Sequence, residues 1–145
     1  MTVTGSLLRA LFRCHLWASA RLMPLLVRGR SFEQVLRWAP LASPTPYRGL
    51  PAAYIVTSVN RTVRHPWLMR DRRCLREGLL GHRFLRLAGF DPELRFGIDP
   101  RSMDAQRLSA HCWVCLDGRP VVSDSLPGMV EIYRHHAASR QARPA

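Results

Sequence analysis

The sequence SAHCWVCLDGRPVVSD, residues 109–124, places an Asp-Gly pair between two runs of strand-forming residues. Asp117 and Gly118 are typical of a two-residue type I′ turn, so the stretch predicts a β-hairpin. Counting outward from the turn, one residue at a time on each strand, brings His111 opposite Asp124. The hairpin therefore predicts an imidazole beside a carboxylate at its open end, provided that neither strand contains a bulge.

A helix precedes the hairpin and carries a cysteine in its first turn. Apolar residues recur with helical spacing from Cys74 onward, Asp71 is a suitable N-cap, and Gly89 is a suitable C′ residue. The free N–H groups and the positive dipole end of a helix start favour the thiolate of Cys74, as do the neighbouring arginines. Beyond the helix, apolar residues alternate with polar residues or glycine over 94–98, which predicts a β-strand.

A helix-terminal cysteine and a strand histidine paired with an aspartate are the parts of a Cys-His-Asp triad. We assign Cys74 as the nucleophile, His111 as the general base and acid, and Asp124 as the orienting carboxylate. Trp113 and Cys115 share the His111 face of their strand, and they either border the cleft or pack in the core. Whether the three catalytic candidates meet depends on how the helix packs on the hairpin.

The chain has 145 residues, which is the size of one domain with one core. All 22 basic residues are arginine and only ten residues are acidic, so the net charge is +12. The lack of lysine excludes a Walker A loop, a Schiff-base lysine and a Ser-Lys nucleophile pair. The charge predicts attraction to nucleic acid, to an anionic membrane surface or to an acidic polypeptide. Four cysteines without a cleavable signal predict reduced thiols in the cytoplasm.

The sequence predicts that the N-terminal portion is helical. Residues 4–28 form an amphipathic helix with the arginines in one sector, which packs on the core as an arm or offers a surface to a partner or a membrane. A short helix capped by Ser31 and ending at Trp38 follows, then a proline-rich loop and a helix over 52–65. We divide the chain into three parts: a helical portion 1–70, the catalytic helix with the antiparallel sheet of the same domain 71–134, and a frayed tail 135–145 that contains His135 and His136.

Residues 74–98, CLREGLLGHRFLRLAGFDPELRFGI, and 110–124, AHCWVCLDGRPVVSD, closely resemble the stand-alone leader peptidase of lasso-peptide biosynthesis. That family's signature is a cysteine, a helix ending in glycine, a strand with Gly-Ile, and an A-H-x-W-V hairpin, here in the same order. The resemblance implies an α+β, papain- and transglutaminase-like fold, in which N-terminal helices and the helix that bears the nucleophile pack on a small antiparallel sheet. The resemblance also implies that Cys74, His111 and Asp124 are the catalytic triad.

The resemblance also implies a reaction and partners. Such a peptidase cuts one bond of a ribosomally made precursor, removes its leader peptide and frees the core for the macrolactam cyclase. It depends on a separate leader-binding protein of winged-helix type and needs neither a cofactor nor a metal. This sequence departs from the family at Cys112 and Cys115, where small or acidic residues are common.

Three other functions compete with this interpretation. The same triad serves transglutaminase-like acyltransferases, in which an amine rather than water resolves the thioester. An arginine-rich binder of nucleic acid fits the charge, but the arginines are spread over the chain and no nucleic-acid-binding motif accompanies them. A redox or metal module on Cys112 and Cys115 requires two strand residues three apart, which point to opposite faces.

Overall fold

The computed structural model describes residues 3–30, 32–36, 45–64, 73–103, 108–124 and 126–136. The described helices are α1 Val3–Val27, α2 Phe32–Leu36, α3 Ala52–Val63 and α4 Arg73–Leu87, and a 3₁₀ turn spans Pro100–Ser102. The strands are β1 Glu93–Ile98, β2 Ala110–Leu116, β3 Arg119–Val122 and β4 Val130–His136, in the antiparallel order β3-β2-β1-β4. This arrangement confirms the α+β class, with helices packed on a small antiparallel sheet.

Helix α4 lies against the sheet and forms the centre of the core. Its buried face contacts side chains from the sheet and from α1 and α3. Two glycines on this face let the helix approach the strands closely, because a Cβ at Gly81 would lie 2.8 Å from Cγ2 of Val122 and one at Gly78 would lie 2.9 Å from Sγ of Cys112. The fully buried core side chains include Phe12, Leu16, Met23, Ile55, Val59, Leu80, Phe84, Leu85, Leu94, Val114 and Val122.

The end of α4 agrees with the prediction. Gly89 adopts a left-handed conformation with φ of 90°. Its N–H donates to the carbonyl of Arg86 at 2.9 Å, and the N–H of Phe90 donates to the carbonyl of Leu85 at 3.1 Å. These two bonds form a Schellman motif, which satisfies carbonyls that a helix end leaves free. The predicted N-cap, Asp71, lies outside the described residues.

The N-terminal helices follow the predictions with small changes of boundary. The arm predicted at 4–28 is α1, and the helix predicted at 52–65 is α3, which ends at Val63. Part of the predicted short helix is α2, while its expected cap Ser31 and its expected end Trp38 lie outside the described residues.

Helix α1 differs from the simple amphipathic helix that the arginine pattern predicts. Its inner face buries Phe12, Leu16, Ala20 and Met23, yet a second set of apolar side chains on its outer side is more than half exposed. This outward set consists of Leu7, Leu11, Trp17, Leu22 and Leu25. The helix is therefore apolar on two faces, of which only one packs on the core. Among the described helices, none has the length and apolarity that crossing a bilayer requires.

Strand β4 corrects the prediction of a tail that begins at residue 135. His135 and His136 are the last residues of this strand and pair with Leu94 and Glu93 of β1. Six of the seven side chains of β4 are exposed, so the strand lacks the apolar alternation that signals a half-buried strand. Main-chain bonds to β1 hold it in place. Residues 137–145 lie outside the described part of the chain.

The close approach of α4 to the sheet gives the first prediction. We expect Gly81→Ala to lower the free energy of unfolding by about 1–2 kcal/mol, because the clash with Val122 outweighs the gain of about 1 kcal/mol in helix propensity. Gly5→Ala is the matched control: Gly5 also lies in a helix, but a Cβ there has nothing within 4 Å. That control should be neutral or stabilising. Urea denaturation of both variants measures the difference, and equal effects would contradict the role of Gly81.

Candidate active site

Cys74 is the second residue of α4, so its position in the first turn is confirmed. Its side chain is half-buried and lies beside the start of β2. The pKa of the Cys74 thiol is lowered to about 5, mainly because the thiol of Cys112 donates a hydrogen bond to its sulfur. The ring of His111 and the main chain of Cys112 donate further hydrogen bonds, and they together outweigh the opposing effect of burial. Cys74 is therefore a thiolate at neutral pH.

His111 lies near the start of β2 and contacts three groups. Its ring stacks on Trp113 with centroids 6.2 Å apart, which confirms that the two side chains share one face. Its Nε2 lies 3.0 Å from the main-chain carbonyl oxygen of Asp124. Because a carbonyl oxygen only accepts, Nε2 carries the hydrogen of this bond. Nδ1 is then the ring nitrogen that remains for the interaction with Cys74.

The hairpin turn is confirmed, but the predicted register beyond it is wrong. Asp117 and Gly118 have φ of 52° and 76°, as a type I′ turn requires. The first pairs follow the prediction up to Cys115 with Pro120, after which Val114 pairs with Val122. Residue 121 is the extra residue of a bulge in β3. His111 and Asp124 therefore do not face each other across a regular ladder.

Asp124 nevertheless contacts His111, through its main-chain carbonyl and not through its carboxylate. Ser123, which follows β3, adopts φ of 53°, and its hydroxyl donates to Oε2 of Glu77 at 3.0 Å. This bond ties the chain after β3 to α4, one turn beyond Cys74, and the turn at Ser123 directs the carbonyl of Asp124 at His111. The Asp124 side chain is exposed, and within the described part of the chain the contact to His111 comes from the main chain.

Cys112 is the site residue that the sequence analysis missed. It is 2% exposed on the face of β2 that packs on α4, and its thiol lies 2.9 Å from the main-chain oxygen of Cys74. The single hydrogen of this thiol is shared between that oxygen and the sulfur of Cys74. The hydrogen bond to the sulfur of Cys74 raises the pKa of Cys112, and burial adds to that effect. The available signal was the alternation of β2, which turns Cys112 toward the helix when His111 faces the other way.

Cys115 occupies the opposite face of β2 from Cys112. It pairs with Glu93 of β1, and burial raises the pKa of its thiol. The two cysteines of the C-x-x-C sequence are therefore separated by the sheet, as their spacing predicts. Within the part of the chain that the structure describes, no group of three or more His, Cys, Asp or Glu residues is arranged to hold a metal ion.

Comparison with known proteins gives one match. A family model described as the transglutaminase-like superfamily matches residues 16–137, which is most of the chain and includes all three predicted triad residues. No curated protein and no solved structure matches the chain significantly.

The hydrogen bonds to Cys74 give the second prediction. The alkylation rate of Cys74 by iodoacetamide should rise with pH around a midpoint near 5, since the thiolate is the reacting form. Both His111→Ala and Cys112→Ala should move this midpoint upward, toward the ordinary thiol value of about 8.5, because each removes a donor to the thiolate. Peptide mass spectrometry across a pH series follows each cysteine separately.

Cys115→Ala is the matched control for this measurement, since it removes a buried thiol from the other face of the same strand. It should leave the midpoint of Cys74 unchanged. A wild-type midpoint near the ordinary thiol value would contradict the assignment of Cys74 as an activated nucleophile.

Proposed function

The chain belongs to the transglutaminase-like superfamily, and we propose that it is a cysteine peptidase that removes the leader from a ribosomally made lasso-peptide precursor. The superfamily includes both cysteine peptidases and acyltransferases. The observation that carries the proposal is the low-pKa thiol of Cys74 at the start of α4, hydrogen-bonded to His111. The resemblance of residues 74–124 to lasso-peptide leader peptidases supports this substrate.

The geometry supports a two-step acyl transfer to water. The thiolate of Cys74 attacks the scissile carbonyl, and the N–H of Cys74 at the start of α4 is a donor for the resulting oxyanion. Nδ1 of His111 then gives its proton to the leaving amine, which leaves the core peptide with a free N-terminus. In the second step His111 takes a proton from water, and the hydroxide releases the leader from the thioester.

Asp124 orients His111 in this mechanism through its main-chain carbonyl. The bond at 3.0 Å holds the hydrogen on Nε2, which leaves Nδ1 as the nitrogen that exchanges protons during the reaction. A main-chain acceptor does this without a full negative charge. The acceptor that faces the ring while His111 takes up and releases protons is therefore the Asp124 carbonyl and not a carboxylate.

The proposed partner is a separate leader-binding protein of winged-helix type, with the macrolactam cyclase as the next enzyme. Helix α1 offers a surface for the leader-binding protein, because its outward leucines are more than half exposed within the described part of the chain. All the charged residues of α1 are arginines. The complementary surface is therefore apolar and acidic.

The third prediction tests the reaction. The protein, mixed with its precursor and the leader-binding partner, should release leader and core peptide by hydrolysis of one bond. Cys74→Ala and His111→Ala should each reduce the rate by at least about 10³-fold, since nucleophile and base act as a unit. Mass spectrometry of the products identifies the bond. Adding a primary amine distinguishes the two superfamily chemistries, because an acyltransferase would attach the amine to the new carboxyl end.

Asp124→Asn is the informative companion variant. It keeps the main-chain carbonyl and removes only the carboxylate, so we expect it to retain activity within about tenfold of wild type. A loss as large as that of His111→Ala would show that the carboxylate orients the ring. If Cys74 is reactive but no precursor is cut, the substrate assignment is wrong while the thiolate site stands.

The fourth prediction concerns the partner surface. Leu11→Glu and Leu22→Glu should weaken binding of the leader-binding protein at least tenfold without unfolding the chain, since both side chains are exposed. Ile132→Glu is the control, because Ile132 is equally exposed but lies on β4. Binding should also fall steeply as salt rises from about 0.05 M to about 0.5 M. Binding that is insensitive to both changes would place the partner elsewhere.

A further inference from the structure

Two cysteines of unequal exposure lie in contact at the start of α4, where the thiol of Cys112 is 2.9 Å from the main-chain oxygen of Cys74. We propose that Cys74 and Cys112 form a redox-reactive site for a hydroperoxide, in which Cys74 is oxidised first and Cys112 then closes a disulfide with it. This inference rests on the contact between the two cysteines. It does not depend on the peptidase function, and its test reads protein mass instead of cleavage.

The position of Cys112 is held by the packing around it. Its Sγ fills the space that a side chain at residue 78 would occupy, since a Cβ on Gly78 would come within 2.9 Å of it. Its thiol hydrogen lies within reach of both the main-chain oxygen and the sulfur of Cys74. Forming a disulfide requires the two sulfurs to close from hydrogen-bond contact to about 2.05 Å.

The two thiols have different access to solvent, and this decides the order of reaction. Cys74 is half-buried at the helix start, whereas Cys112 is 2% exposed beneath it. A small hydroperoxide therefore reaches the sulfur of Cys74 first. Cys74 is also the thiolate of the pair, and the thiolate is the form that peroxides oxidise.

The chemistry balances in two steps. The Cys74 thiolate attacks one oxygen of the hydroperoxide, the O–O bond breaks, and a sulfenic acid and a hydroxide or alkoxide result. Cys74 loses two electrons and the peroxide gains them. The sulfur of Cys112 then attacks the sulfenic sulfur, an S–S bond forms, the S–O bond breaks, and the departing hydroxide leaves as water with the proton of Cys112.

Oxidation of Cys74 itself prepares Cys112 for the second step. The first cause of the raised Cys112 pKa is its hydrogen bond to the Cys74 sulfur, and the negative charge of Cys74 adds to it. Conversion to the neutral sulfenic acid removes that charge. Burial and the carboxylate of Glu77 remain, so the thiol of Cys112 becomes easier to deprotonate once the first step is complete.

The remaining two cysteines serve as internal references. Cys115 lies on the opposite face of β2, and Cys14 is exposed on α1. Neither faces the start of α4 in the way that Cys112 does. A disulfide specific to Cys74 and Cys112 is therefore the expected product, and it blocks the nucleophile while sparing it from irreversible sulfinic acid.

The experiment treats the reduced full-length protein with hydrogen peroxide, then quenches with catalase and an alkylating agent. Intact mass before alkylation should fall by the two hydrogens of one disulfide, the alkylated sample should carry two alkyl groups fewer than the reduced protein, and peptide mapping should join the peptides of Cys74 and Cys112. A dithiol reductant should restore the original mass and the alkylation of Cys74. Linkage to Cys14 or Cys115 in place of Cys112, or sulfinic acid on Cys74 at the same rate at which the thiol disappears, would overturn the proposal.

Variants separate the roles of the two thiols. Cys112→Ser keeps a small hydroxyl donor in the same space but cannot form the disulfide, so Cys74 should proceed to sulfinic acid, with a gain of two oxygen atoms that the reductant does not reverse. Cys115→Ala should behave as wild type. If Cys112→Ser also returns to its original mass under the reductant, Cys112 is not the resolving thiol. The wild-type peptide map tests the proposal even if a variant folds poorly.

Discussion

The contact between helix α4 and strand β2 is the constraint on which the rest of the site depends. Gly78 and Gly81 leave no side chain between the helix and the strands, so the helix start is drawn against the sheet. Cys74 at that start then meets both His111 and Cys112, which are adjacent on β2. Adjacent strand residues point to opposite faces. Cys74 interacts with both because it lies in the first turn of α4, beside the start of β2.

The same contact explains the electrostatics. A half-buried thiolate is costly unless donors surround it, because burial alone favours the neutral thiol. Cys74 receives hydrogen bonds from a thiol, an imidazole and a main-chain N–H, and it lies where the helix dipole is positive. The hydrogen-bond donors all belong to strand β2, and the positive dipole end belongs to helix α4. Nucleophile activation is thus a consequence of packing two elements together.

The parts of the fold that local chemistry controls could be predicted from the sequence. Gly89 ends α4 and Asp117 with Gly118 turns the hairpin, since each needs only its own backbone conformation. The position of Asp124 could not be predicted in the same way, because the bulge at residue 121 depends on how β3 packs on α4. Strand β4 was missed for a related reason: its side chains are exposed, and pairing with β1 defines it.

The bulge also changes which part of Asp124 acts. In a regular hairpin a carboxylate would lie beside the imidazole, and the residue type at 124 would determine the chemistry. After the bulge the left-handed turn at Ser123, tied to Glu77, presents a carbonyl instead. A carbonyl fixes the tautomer of His111 as well as a carboxylate does, but it adds no full charge. The orientation of His111 therefore depends on the backbone conformation of residues 123 and 124 and on the hydrogen bond from Ser123 to Glu77, and not on which side chain stands at position 124.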